Sequence, residues 1–290
     1  TSTMPWRPSG NGGGALEELI EALEKKGLNV VCISGMRGLE PIFDEVRPDL
    51  VIYQPHGRLG EKTVELLKKY NVPLLCPIKV NEPYEEYLRD QRGMTGGMLS
   101  QSITMPELDG GTVPFVLSAL FRNRRGLLEF RMIPDRLERF AELVKKTTDL
   151  KRKPNADKKI AIIYYGSVGK EAATAGLGVA ESVLNVLKRL RSEGYTTGPL
   201  PENAEELNRE IEAGKAAVGT NAGVAASDGN PPRVQSITIT PEEYRAWVAK
   251  SMPADLYQTV VERYGEFPGQ SFRTPEGNMK LGRIRFGNII

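Results

Sequence analysis

Apolar positions along the chain switch between a helical period and short continuous runs, and this switching predicts the fold. Leu16, Leu19, Ile20 and Leu23 recur at helical spacing, and Gly27 stands where a left-handed cap closes a helix. The apolar run 28–33 reads as a strand, 39–46 as a short helix, 50–53 as a second strand, 61–70 as a helix and 73–78 as a third strand. Strands that alternate with helices pair in parallel through right-handed crossovers, because a two-residue turn cannot join parallel neighbours. A small doubly wound α/β unit is therefore expected first.

Residues 81–111 interrupt the rhythm with Pro83, paired acidic residues and several glycines, and are expected to form a long excursion that returns to the core near 113–121. A helix over 134–150, with Leu137, Phe140, Ala141 and Val144 inward, runs into KRKPNADKK, whose charge and proline mark a domain boundary. A strand at 159–165, the loop GSVGKEAATAGLG and a helix carrying Val179, Val183, Val186, Leu187 and Leu190 open a second unit. Residues 201–214 read as a helix with Glu205 and Glu206 where the helix dipole favours them. A mobile loop is expected at 219–233 and a short strand at 237–239. Thr240 should cap a helix starting at Pro241, and 253–264 form another. LGRIRFGNII ends on apolar residues with no turn behind them, so the second unit reads as cut inside a strand. The expected class is α/β, with two small Rossmann-like or flavodoxin-like units of mainly parallel sheet at 1–152 and 153–290, the second truncated at its carboxyl end.

Composition narrows the partners more than the fold. The 39 Lys and Arg against 37 Asp and Glu leave a formal charge of +2 with the signs interspersed, so no basic stripe invites nucleic acid. No apolar run reaches the roughly 20 residues of a membrane span, and the amino terminus lacks the order of a secretory signal. Cys32 and Cys76 each sit in a short apolar run and read as core fillers, outside any CxxC or Cys/His spacing. A reducing, cytoplasmic location fits.

Candidate chemistry is sparse. GSVGK follows a predicted strand, yet two residues separate its glycines where a phosphate loop needs four, and Glu171 follows the lysine where such a loop has Ser or Thr. No G-x-G-x-x-G follows either opening strand, and a single histidine without a G-x-S-x-G elbow excludes a nucleophile and base pair. That histidine, His56, stands in YQPHGR at the carboxyl edge of a predicted strand, where open α/β sheets bind ligands. It reads either as a loop residue bonded to backbone or, with Arg58, as a polar contact to an acidic ligand. Glu107 and Asp109 in MPELDGG suit a tight turn or an acid and base pair.

Several segments in order resemble the large subunit of cobalt and magnesium chelatases, the CobN family. ALEELIEALEKKGLNVVCIS is similar to the family's lead-in, and PDLVIYQPHGR to the strand that follows. SQSITMPELDGG carries a P-E-x-D-G element in Pro106, Glu107, Asp109 and Gly110, the most specific match. KKIAIIYYGSVGKEAATAGLGVAESVLNVLKRLRSEGY with LPENAEELNREI, and SMPADLYQTVVERYGEFPGQ with RFGNII, extend the resemblance over nearly the whole chain. At the Gly-Lys loop only Gly169 and Lys170 match; the family's Asn and consecutive prolines are replaced by Tyr165, Gly166, Ser167 and Val168.

The resemblance implies an amino-terminal to central piece of a far longer subunit that inserts cobalt or magnesium into a tetrapyrrole precursor, for a cobalamin-type or chlorophyll-type cofactor. It implies an AAA+ ATPase subunit and a third subunit as partners, with ATP and the metal ion used by the full complex and no cofactor bound by this chain alone. Substrate contact would fall to His56, Arg58, Glu107, Asp109 and Lys170. The family's metal-binding stretch lies beyond these residues, so no unaided catalysis is expected. Two readings from other classes stand beside it: a two-lobed protein that closes on a small acidic ligand, and a small α/β enzyme built around His56.

Overall fold

The computed structural model describes residues 14–33, 39–54, 56–163, 178–218, 233–270 and 272–290. The chain divides into two compact units between Arg152 and Lys153. The first contains α1 (Ala15–Lys25), α2 (Leu39–Val46), β1 (Val51–Ile52), α3 (Glu61–Lys69), β2 (Leu74–Leu75), β3 (Ile78–Pro83) and α4 (Tyr84–Arg89). It continues with α5 (Gly96–Leu99), α6 (Met105–Leu108), β4 (Gly111–Thr112), β5 (Val116–Arg122), β6 (Leu128–Met132) and α7 (Pro134–Arg152).

Strands β1, β2 and β4 pair in parallel in that order; β3 pairs parallel with β5, and β6 lies antiparallel on the far side of β5. Bonds from Cys76 N–H to the Thr112 carbonyl and from Ile78 N–H to the Phe115 carbonyl carry the pairing past Pro77, which has no N–H to give. Successive strand residues face opposite layers. Leu74 packs with Leu39 and Phe43 of α2 and Leu66 and Leu67 of α3, whereas Leu75 packs with Leu19 and Leu23 of α1 and Phe140, Ala141 and Val144 of α7. A sheet covered on both faces needs continuous apolar runs, which is why PLLCPI contains no polar alternation. Each Leu or Phe fully buried in these layers contributes about 2 kcal/mol.

Two expectations for this unit are corrected. Residues 28–33 form no ladder: Leu28 and Val30 pack against the core, but Val31, Cys32 and Ile33 are exposed. Of the two cysteines only Cys76 is buried. An apolar β-branched run states a propensity, and a strand also requires a paired neighbour. Within 81–111, α5, a wider turn at Ser100–Thr104 and α6 run on without a break. Pro106 is tolerated inside this run because the preceding turn bonds five residues back rather than four, which leaves room for its ring.

The second unit contains α8 (Val179–Ser192), α9 (Ala204–Val218), β7 (Val234–Ile239), α10 (Pro241–Val248), α11 (Ala254–Tyr264) and β8 (Met279–Ile284). Strands β7 and β8 are antiparallel, and Leu184, Leu187, Leu207, Ile211, Phe286 and Ile289 form the core. Of the strand expected at 159–165, residues 164 and 165 lie outside the described residues; Ile160 pairs in parallel with Ile289, and Ile162 N–H bonds the Ile290 carbonyl at 2.8 Å. Thr240 and Glu243 cap α10 reciprocally, as TPEEY predicts.

Gly111 is the most closely packed glycine among the described residues of the first unit. A side-chain carbon there would stand 2.7 Å from Cys76 Sγ and 2.8 Å from the Pro106 carbonyl oxygen. Gly111→Ala is expected to lower unfolding stability by about 2 kcal/mol, because the main chain of α6 must shift. Urea denaturation checks this; an unchanged midpoint would show that α6 can give way freely.

Candidate functional site

The loop that leaves β1 and the helix end that enters β4 come together although roughly fifty residues separate them. Asp109 follows the last residue of α6, with its side chain fully covered. Arg58 Nε donates to Asp109 Oδ1 at 2.7 Å, Arg58 Nη2 stands 2.6 Å from the same oxygen, and the Leu59 N–H donates to Oδ2 at 2.6 Å. Both carboxylate oxygens are thus occupied. The Gly57 N–H donates to the Gln101 carbonyl at 2.9 Å, so the loop also touches the wider turn of the helix. Gly57 has φ +92, a conformation glycine adopts without strain.

The surroundings fix the charge. Burial works against ionisation of Asp109, but the bonds from Arg58 and the Leu59 backbone, with the Arg58 charge, hold its carboxyl below the usual range. Burial and the neighbouring Asp109 charge push the Cys76 thiol up to about 12, so it stays protonated. Burial likewise raises Tyr53, against a hydrogen bond from the His56 backbone. The one ionised pair at this point keeps its anion inside and its cation half in solvent, since the Arg58 side chain is 54% exposed.

Of the residues singled out in the sequence, Arg58 and Asp109 are brought into direct contact. His56 is exposed on the same loop, held there through its backbone. Glu107 is exposed on α6, and among the described residues no contact joins it to Arg58 or Asp109. A tight turn contains Glu107 and Asp109, closed where the Gly110 N–H bonds the Glu107 carbonyl at 3.0 Å. Lys170 lies outside the described residues. Leu108, 68% exposed, sets a large apolar side chain beside Asp109 in sequence. Among the described residues no three His, Cys, Asp or Glu side chains gather to hold a metal ion, and no helix is long and apolar enough to cross a membrane.

Residue-by-residue reading missed a second ionic group. Glu210 is buried on the inward side of α9 beside Leu207 and Ile211, and Arg233 answers it with Nε at 2.9 Å while Nη2 reaches Glu206 at 2.8 Å. The signal was a glutamate on the apolar side of a helix, which demands a cation.

Asp109 also carries a pH signature. The folded state holds this carboxyl more acidic than the unfolded chain does, so its stabilisation is complete above about pH 4, the unfolded range, and is lost as pH falls through the lower folded value. Asp109→Asn is expected to cost about 2 kcal/mol at neutral pH and progressively less as the pH falls below about 4. Melting of both proteins across that interval checks it; a cost independent of pH would show that the charge contributes nothing.

A sequence model of the family described as CobN/Magnesium Chelatase matches residues 10–290. A magnesium-chelatase subunit of Chlorobaculum parvum is 28% identical over 297 residues, covering 94% of this chain and 22% of that protein. The aerobic cobaltochelatase subunit CobN of Pseudomonas aeruginosa is 28% identical over 226 residues, 75% of this chain and 17% of that protein. The solved catalytic subunit of cobaltochelatase from Mycobacterium tuberculosis superposes with a TM-score of 0.69 at 25% identity, covering 95% of this chain and 24% of that one. The chain thus spans about a fifth of the length of the curated relatives it matches.

Proposed function

The chain belongs to the CobN/magnesium chelatase family, and from that premise we propose that it is a tetrapyrrole-contacting portion of the large subunit of a metal chelatase. The single observation that supports this reading is the bond between two motifs of the resemblance, YQPHGR and MPELDGG, which puts them in direct contact. The segment presents the half-exposed Arg58 side chain two residues along the chain from the exposed His56, with the exposed Leu108 next to Asp109 in sequence. A tetrapyrrole precursor has an apolar macrocycle and an edge of carboxylates or amides. Arg58 would take a carboxylate of that edge through its guanidinium N–H groups, with His56 as a second polar contact.

Metal insertion requires removing pyrrole protons and desolvating a divalent cation, cobalt or magnesium, which is here a substrate. Asp109 is a poor candidate for either task, because both its oxygens are already bonded. The proposed role of this portion is therefore to hold the macrocycle edge, while the metal ligands come from elsewhere in the large subunit. The AAA+ ATPase subunit and a third subunit would supply the ATP-driven change, in the cytoplasm.

An absorbance titration of the chain with a soluble porphyrin bearing free carboxylates tests the reading. A saturating spectral shift is expected, with affinity falling about tenfold in Arg58→Ala and less in His56→Ala. Absence of any shift with the wild-type chain would leave these units as scaffold and remove the proposed contact.

A further inference from the structure

The helical run 96–108 changes hydrogen-bond register where the loop reaches it. Met105 donates its N–H to the Ser100 carbonyl, five residues back. In the same register the next carbonyl, that of Gln101, faces Pro106, which has no N–H to give. The Gly57 N–H takes that carbonyl instead, at 2.9 Å. At the end of the same helix Asp109 takes Arg58 Nε and the Leu59 N–H. One helix therefore holds the loop on both sides of Arg58, and the residues responsible are the proline and the aspartate of MPELDGG. Pro106 is fully buried and the Asp109 side chain is covered completely, so neither offers a surface to a ligand.

We propose that Pro106 and Asp109 are positioning residues: they fix the direction of the Arg58 guanidinium by clamping residues 57–59 and touch no ligand themselves. Pro106 acts by withholding a donor, which leaves a helix carbonyl for the loop to use. Asp109 acts by binding the guanidinium on one edge, which leaves the other edge to face outward. The functional consequence rests on the reading that Arg58 meets a tetrapyrrole carboxylate, whereas the clamp itself is measurable without ligand.

Pro106→Ala restores an N–H that competes with Gly57 for the Gln101 carbonyl. In amide hydrogen exchange on the full chain, Gly57 is expected to lose about tenfold in protection relative to the slowly exchanging amides of β5. Undiminished protection at Gly57 would overturn the role of Pro106. For Asp109 the readout is a double-mutant cycle in porphyrin affinity. Arg58→Ala combined with Asp109→Asn is expected to bind no more weakly than Arg58→Ala alone, because Asp109 works only through Arg58. Losses that add would show that Asp109 acts by another route and overturn its assignment. A wild-type chain that binds no porphyrin would sink the functional reading alone, and the exchange at Gly57 would still decide the clamp.

Discussion

A carboxylate cut off from water has to be answered by donors, and the Asp109 carboxylate sets what the first unit can present. Its donors come from a loop that belongs to a different strand, so β1, the run 96–108 and the entry to β4 are tied together. Cys76 and Tyr53, buried nearby, are both held towards their neutral forms. The net electrostatic outcome is directional. The negative end of the pair is hidden and the positive end is half exposed, so the surface above Asp109 offers a cation whose orientation is fixed from below.

The second unit meets the same demand differently, and the difference separates scaffold from site. Glu210 is as deeply buried as Asp109, but its partner Arg233 is only 20% exposed and also serves Glu206 and lies over the Phe286 ring. That network closes on itself. It ties α9 to the start of β7 and leaves little for a ligand to bind. Arg58 has no such second protein partner among the described residues, which is why it and not Arg233 is the contact to test.

Most helices were legible from apolar period and caps, because each buries one stripe against a core that the pattern already defines: α2, α3, α7 and α11 begin and end near their predicted limits. Strands were legible as apolar runs and their parallel sense from the alternation with helices, but not which runs would find a neighbour. The run 28–33 shows the cost, since its side chains suit a strand and yet no neighbour pairs with it. The helix over 96–108 was hidden by its own composition, as Gly96, Gly97 and Pro106 are signals of a loop. His56 and Arg58 were singled out because they follow a strand, and Asp109 as one of two carboxylates in MPELDGG to which the family resemblance added weight. Their connection was not legible, because it depends on a change of helical register that no local pattern records.

That connection joins two segments that the topology keeps far apart in the chain. A parallel pairing needs a crossover between strands, so the loop after β1 and the entry to β4 are necessarily far apart in sequence even though they touch. Without the loop, the helix would bury an unanswered carboxylate and an unused carbonyl, and without Asp109 the buried Leu59 N–H and the guanidinium would lose their acceptor. A change in either segment is therefore felt in the other, and the outward edge of Arg58 is where that mutual constraint reaches the surface.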